Sequence, residues 1–130
     1  MELDYTVTTA KPYDEAVRAV IASTEARGFR VQFVHDVAAT LAEKGFAREP
    51  VTIVEICNAR YASQVLERDV KIGLMLPCPI MVYVQAGQVR ISTMRPSLIG
   101  GFFPDAGIDD VAAEVESVLV DVIEEAAGRE

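Results

Sequence analysis

Basic residues are scarce in this chain: 12 lysines and arginines stand against 20 aspartates and glutamates, a formal net charge of -8. Attraction to phosphate needs a basic face, so nucleic acid is excluded as the expected partner, and an anionic membrane surface would repel the protein. Long hydrophobic runs are missing as well. No stretch approaches the roughly 18 apolar residues of a spanning helix. The acidic start Met1-Glu2-Leu3-Asp4-Tyr5 lacks the basic region and apolar block of a signal peptide. Cytoplasmic residence is therefore the expectation. Cysteine occurs twice, at Cys57 and Cys78, and histidine once, at His35. In a cytoplasmic protein, two cysteines are reduced thiols before they are a permanent disulfide. Low-complexity tracts, linkers and internal repeats are absent, so residues 1–130 read as one domain, long enough to bury a core without covalent staples.

What is present is clear periodicity. Residues 2–8 alternate Leu3, Tyr5 and Val7 with Glu2, Asp4, Thr6 and Thr8, the pattern of a half-buried strand. Pro12 opens a helix where its missing N–H costs nothing, with Asp14 and Glu15 in the positive first turn and Gly28 as the stop. Phe29, Val31 and Phe33 predict a second strand with all three on one face. Asp36 caps a short helical excursion closed by Gly45, and a third strand follows over residues 51–57. Asn58 is the N-cap of a helix from residue 59 to about 69, with Ala62, Val65 and Leu66 inward. Gly73 and Pro77 frame an irregular Leu74-Met75-Leu76 segment. Two more alternating runs, joined at Ala86-Gly87, predict a hairpin. Residues 96–104 read as a loop whose aromatic residues tuck under the core. A last helix over residues 108–127 carries the stripe Val111, Val115, Val118, Leu119, Val122 and Ile123.

The order predicts an α+β fold: a two-layer sandwich of β-α-β(4)-α type, its five-stranded, mainly antiparallel sheet interrupted by short helical excursions. Two amphipathic helices would cover one face. The other face, with Asp4, Thr6, Arg30, Gln32, Glu55, Tyr83, Gln85, Arg90 and Ser92, is too mixed for a second core. It suits a solvated surface or a partly polar homodimer interface, because Tyr and Arg are enriched at interfaces.

The chemistry rests on the cysteines. If strands three and four pair antiparallel, Cys57 at the end of one lies beside Cys78 at the start of the other. Parity opposes direct bonding: Cys57 alternates with Ile53 and Glu55, whereas Cys78 extrapolates to the Ile80–Val82 face, so Pro77 and Pro79 would have to re-aim it. Cys57 precedes the Asn58 cap, where free N–H groups favour a thiolate; Arg60 adds positive potential and Glu55 subtracts some. Met75 is a further soft donor, which with both thiols would suit a thiophilic metal. The competing reading is that both cysteines are small buried hydrophobes. His35 falls at the other end of the sheet, which removes the usual base for a cysteine nucleophile. Gly100-Gly101 lacks a phosphate-loop continuation, so no nucleotide is expected.

Glu55-Ile56-Cys57-Asn58, Tyr61-Ala62, Leu76-Pro77-Cys78, Val82-Tyr83 and Arg95-Pro96 together resemble the cysteine-containing branch of the bacterial and archaeal family known as domain of unknown function 302. The resemblance covers nearly the whole chain. Ala59 stands where the pattern has proline, and Pro79 where a polar or basic residue is common, which bears on the shape of the site. The family implies a TATA-binding-protein-like architecture, a likeness that carries no implication of DNA binding, and it has no settled activity. The leading functional expectation is a thiol protein in redox or sulfur handling, with Cys57 attacking and Cys78 resolving, and a small molecule or protein thiol as partner. The alternatives are a non-catalytic dimeric module with structural cysteines, or soft-metal binding. Substrate and cofactor stay open.

Overall fold

The computed structural model describes residues 2–128. Strand β1 (Asp4–Thr9) leads through Pro12 into helix α1 (Tyr13–Ala26). Strand β2 (Arg30–Asp36) follows, then the short helix α2 (Val37–Ala42) and strand β3 (Val51–Cys57). Helix α3 (Ala59–Arg68) and a 3₁₀ helix over Val70–Met75 return the chain to strand β4 (Cys78–Gln85), which turns into β5 (Gln88–Met94). Helix α4 (Ser97–Phe102) precedes the long α5 (Asp109–Ala126). The five strands form one sheet in the order β1-β5-β4-β3-β2, with every neighbouring pair antiparallel. The β-α-β(4)-α sandwich is thus the architecture of the chain, with β4 in the middle of the sheet.

The alternation of each strand decides which face is covered. Val7, Ile91, Val82, Ile80, Val54 and Ile56 point to one side and are buried against Ala16 and Val20 of α1 and Val115, Leu119, Val122 and Ile123 of α5. Each large aliphatic side chain so buried contributes roughly 1.5–3 kcal/mol, which makes this layer the main source of stability. Polar links clamp the two helices together. Arg27, the residue that follows α1, meets Glu125 of α5 at 2.6 Å, and the hydroxyl of Ser23 in α1 donates to the same carboxylate at 2.6 Å. The Thr9 hydroxyl donates to the Ala127 carbonyl at 2.9 Å, satisfying one of the carbonyls that a helix end leaves free.

Three local expectations change. First, Phe33 does not share a face with Val31. Val31 pairs with Ile56 but Phe33 pairs with Glu55, so one extra residue, Gln32, forms a bulge and the alternation flips. Phe33 emerges on the open face, 56% exposed, with its ring edge-on to His35 at 5.8 Å. Second, the segment framed by Gly73 and Pro77 is largely ordered as the 3₁₀ helix, begun by the Asp69 carboxylate, which accepts from the Lys71 N–H at 3.0 Å. Third, residues 97–102 are a helix rather than loop. Its Ile99 joins Ile72 and Ile108 in a second, smaller core, with Phe103 packed alongside, while Phe102 stays 71% exposed instead of tucking under the core. A Cβ on Gly100 would come within 2.3 Å of the Asp109 carboxylate, so glycine lets α4 lie close to the start of α5.

Candidate functional site

The end of β3 is where the sheet gives way to α3, and two local signals in the sequence make it do so. The Asn58 side-chain oxygen accepts the Tyr61 N–H at 3.1 Å, filling a donor that the first helical turn would leave unpaired. Its amide nitrogen donates to the Gly28 carbonyl at 3.1 Å, tying this corner to the turn after α1. At Gly28 the backbone is left-handed, with φ +81°, a conformation that glycine adopts without strain. Cys57 is therefore held between a strand ladder and a capped helix.

The β3–β4 ladder fixes the relation of the thiols. Ile56 lies directly across from Cys78, so Cys57 is one residue beyond the partner of Cys78, at the same end of the sheet. Strand spacing and rise put two such diagonal positions about 6 Å apart at Cα. Both cysteines are free thiols, and neither is fully buried. Alternation keeps its effect: Cys78 packs against the main core on the Ile80–Val82 side, and Pro77 and Pro79 do not turn it away, whereas Cys57 pairs with Arg30 on β2. Burial pushes the Cys78 thiol up to about 11, with the nearby Cys57 adding to the rise, so Cys78 is protonated at neutral pH.

Both cysteines border a cavity of about 50 Å³ between the end of the sheet and the helices. Tyr61 and Val65 of α3, Ile99 of α4 and Val111 and Val115 of α5 supply much of the remaining wall. The wall is apolar almost throughout, which suits a small apolar group better than an ion. Tyr61 stacks at a tilt on Phe29, ring centres 5.9 Å apart, and its hydroxyl donates to the Glu114 carboxylate. That hydrogen bond is the main reason the Tyr61 phenol is pushed above its ordinary pKa.

The other sequence candidates distribute unevenly. Arg60 lies over the Tyr61 ring at 5.0 Å and 3.7 Å from Glu114, so its charge is shared with α5. Glu55 is half-buried opposite Phe33 and Pro79, on the Ile53 side of β3. Met75 packs on the small core of Ile72, Ile99 and Ile108 and takes no place among the cavity residues. Among the described residues, no group of three or more His, Cys, Asp or Glu is arranged to hold a metal ion. His35 pairs with Ile53, well down the ladder from Cys57, and lies 3.4 Å from the Thr40 hydroxyl. The roles of Ile99, Val111 and Val115 as cavity wall had no local signal in the sequence, where they read only as apolar positions.

Residues 5–126 match the family described as Domain of unknown function DUF302. The chain belongs to the DUF302 family. It is similar to a crystal structure of an uncharacterized conserved DUF302 protein from Bacillus stearothermophilus, at 28% identity and a TM-score of 0.91, over 98% of this chain and 99% of that one. Among curated proteins, none matches. The span matched to DUF302 includes the β3–α3 corner, and the family description attaches no activity to it. Among the described residues, no helix is long and apolar enough to cross a membrane.

Proposed function

We propose that this DUF302 protein is a thiol–disulfide exchange protein in which Cys57 attacks and Cys78 resolves. The observation that carries the reading is the Ile56–Cys78 pairing, which brings Cys57 next to Cys78 across the ladder. The Cys57 thiolate attacks a sulfur of an external disulfide, forming a mixed disulfide and releasing one thiolate, which takes up a proton. Cys78 then loses its proton and attacks the Cys57 sulfur, and the second external thiol leaves. Protein dithiol and external disulfide thus become protein disulfide and two thiols, with two electrons and two protons passing to the partner. An apolar wall accommodates a thiol or a disulfide and disfavours a thiolate, so the second step is the slow one. Closure also requires the chain at Cys57 and Asn58 to turn, since alternation separates the two side chains.

Exposure of the purified protein to oxidised glutathione, followed by intact mass and peptide mapping, tests this. The expected product is an internal Cys57–Cys78 bridge, with Cys78→Ser instead accumulating a glutathione adduct on Cys57. Prolonged exposure that leaves both thiols free, or that adds glutathione without any bridge, overturns the proposal and leaves the cysteines as packing residues.

A further inference from the structure

The open face over β1, β5 and β4 lies away from Cys57, and its side chains are arranged by register into rows. Thr6, Ser92 and Met81 form the middle row across β1, β5 and β4. One pleat to one side the face carries Asp4 and Met94; one pleat to the other it carries Thr8, Arg90 and Tyr83. Hydroxyls cross-link the middle: Thr6 and Ser92 are 2.6 Å apart, and the Tyr83 hydroxyl is 2.8 Å from Ser92. A groove here is bordered by Leu3, Asp4, Pro79, Met81, Tyr83 and Met94, among others. Helix α2 lies on the β2–β3 side of the sheet, where Thr40 meets His35. Arg90 is half-buried; one of its terminal nitrogens donates to Gln88 at 3.2 Å, while its buried Nε has no hydrogen-bond partner among the described residues.

We propose that this face is covered by a second copy of the chain, packed sheet to sheet about a two-fold axis that runs across the strands along the Thr6–Ser92–Met81 row. The argument is one of charge and register. Such an axis exchanges the two outer rows, so Asp4 of each copy lies over Thr8 of the other, one strand from Arg90. With sheets about 10 Å apart and strands about 4.8 Å apart, the two Cα atoms are separated by about 11 Å, which an arginine–aspartate pair spans. The same operation lays Tyr83 of each copy over Pro79 of the other, and the operation is its own inverse, so both contacts occur twice. An acid at one end of the face and a base at the other is the self-complementary arrangement that a two-fold requires.

Sedimentation velocity on the full chain at micromolar concentration reads the outcome. The wild type is expected at twice its 14.1 kDa mass. Arg90→Asp and Asp4→Arg are each expected to weaken the dimer by about a hundredfold, because each places two like-charge contacts in the interface. The double variant Asp4→Arg/Arg90→Asp restores the pair and is expected to recover most of the dimer. Circular dichroism of each variant confirms that the monomer is folded; for any that is not, Arg90→Gln and Asp4→Asn take its place, with weakening still expected from each alone. A monomeric wild type overturns the proposal. So does a dimer indifferent to both single variants, and so does failure of the folded double variant to recover.

Discussion

Glu116, in the middle of α5, accepts both the backbone N–H of Ser97 at 3.1 Å and its hydroxyl at 2.6 Å, and so closes the first turn of α4 from a different helix. Arg95 approaches the same carboxylate at 3.5 Å and also lies over the Tyr5 ring at 5.5 Å. This cluster holds α4, and with it Ile99, over the cavity that Cys57 and Cys78 border.

Removing the carboxylate should therefore loosen α4. Glu116→Ala is expected to cost about 1.5–3 kcal/mol, the range for hydrogen bonds to a charged group. The pH dependence has a definite sign. Burial pushes the Glu116 carboxyl up, but the Ser97 hydroxyl and N–H and the Arg95 guanidinium outweigh it, so its pKa in the folded protein lies below the ordinary value. A depressed carboxyl contributes stability above its unfolded pKa, and loses it as pH falls through the folded one. Urea melts of wild type and variant should therefore converge in acid and separate towards neutral pH. A constant gap across that range would contradict the assignment.

Asn58 has two separable jobs, and two substitutions separate them. Asn58→Ala removes the cap of α3 and the link to Gly28, and should destabilise the protein by about 0.5–2 kcal/mol. Asn58→Asp keeps an acceptor for the Tyr61 N–H but loses the donor to the Gly28 carbonyl, so its melt should fall between the other two. If the aspartate variant were as unstable as the alanine variant, the cap would contribute nothing.

The thiols should label at different rates. Burial raises the Cys78 pKa to about 11, so iodoacetamide should modify it slowly near neutral pH and faster as pH rises towards that value. In the Cys57→Ser protein the Cys78 rate should rise slightly, since the smaller of the two causes is gone. Timed alkylation with peptide mapping measures both. Rapid labelling of Cys78 at neutral pH would show that it is not held in an apolar environment.

The β4–β5 turn offers a stabilising change. Ala86 and Gly87 both have positive φ, +53° and +77°, as a two-residue type I′ hairpin requires, and alanine is strained there. Ala86→Asn, which makes the favoured Asn-Gly pair, should raise stability by about 0.5–1 kcal/mol with no change elsewhere. Thermal denaturation decides it, and a lower melting temperature would count against the turn geometry.

Much of the molecule was legible where the cause is local. The third strand over residues 51–57, the caps at Asp36 and Asn58, the stop at Gly28 and the turn at Ala86-Gly87 each depend on residues within a few positions of one another, and each stands in the structure. The layered architecture was legible for a related reason, since apolar periodicity alone says which face of an element must be covered. The two-residue side-chain period also put Cys78 on the core side.

Three things were not legible, and each depends on contacts distant in sequence. Nothing in Ser97–Phe102 announces a helix; it has two glycines and no cap of its own, and its first turn is satisfied by Glu116, 19 residues away. The bulge at Gln32 leaves the hydrophobic pattern of β2 intact while reversing the face of Phe33, because register is chosen by the partner strand. The cavity beside Cys57 and Cys78 has walls from α3, α4 and α5 as well as from the sheet. Sequence determined which segments could carry an apolar face. Tertiary packing alone decided which of those faces met, because hydrophobic attraction has no direction and only close packing selects the neighbour.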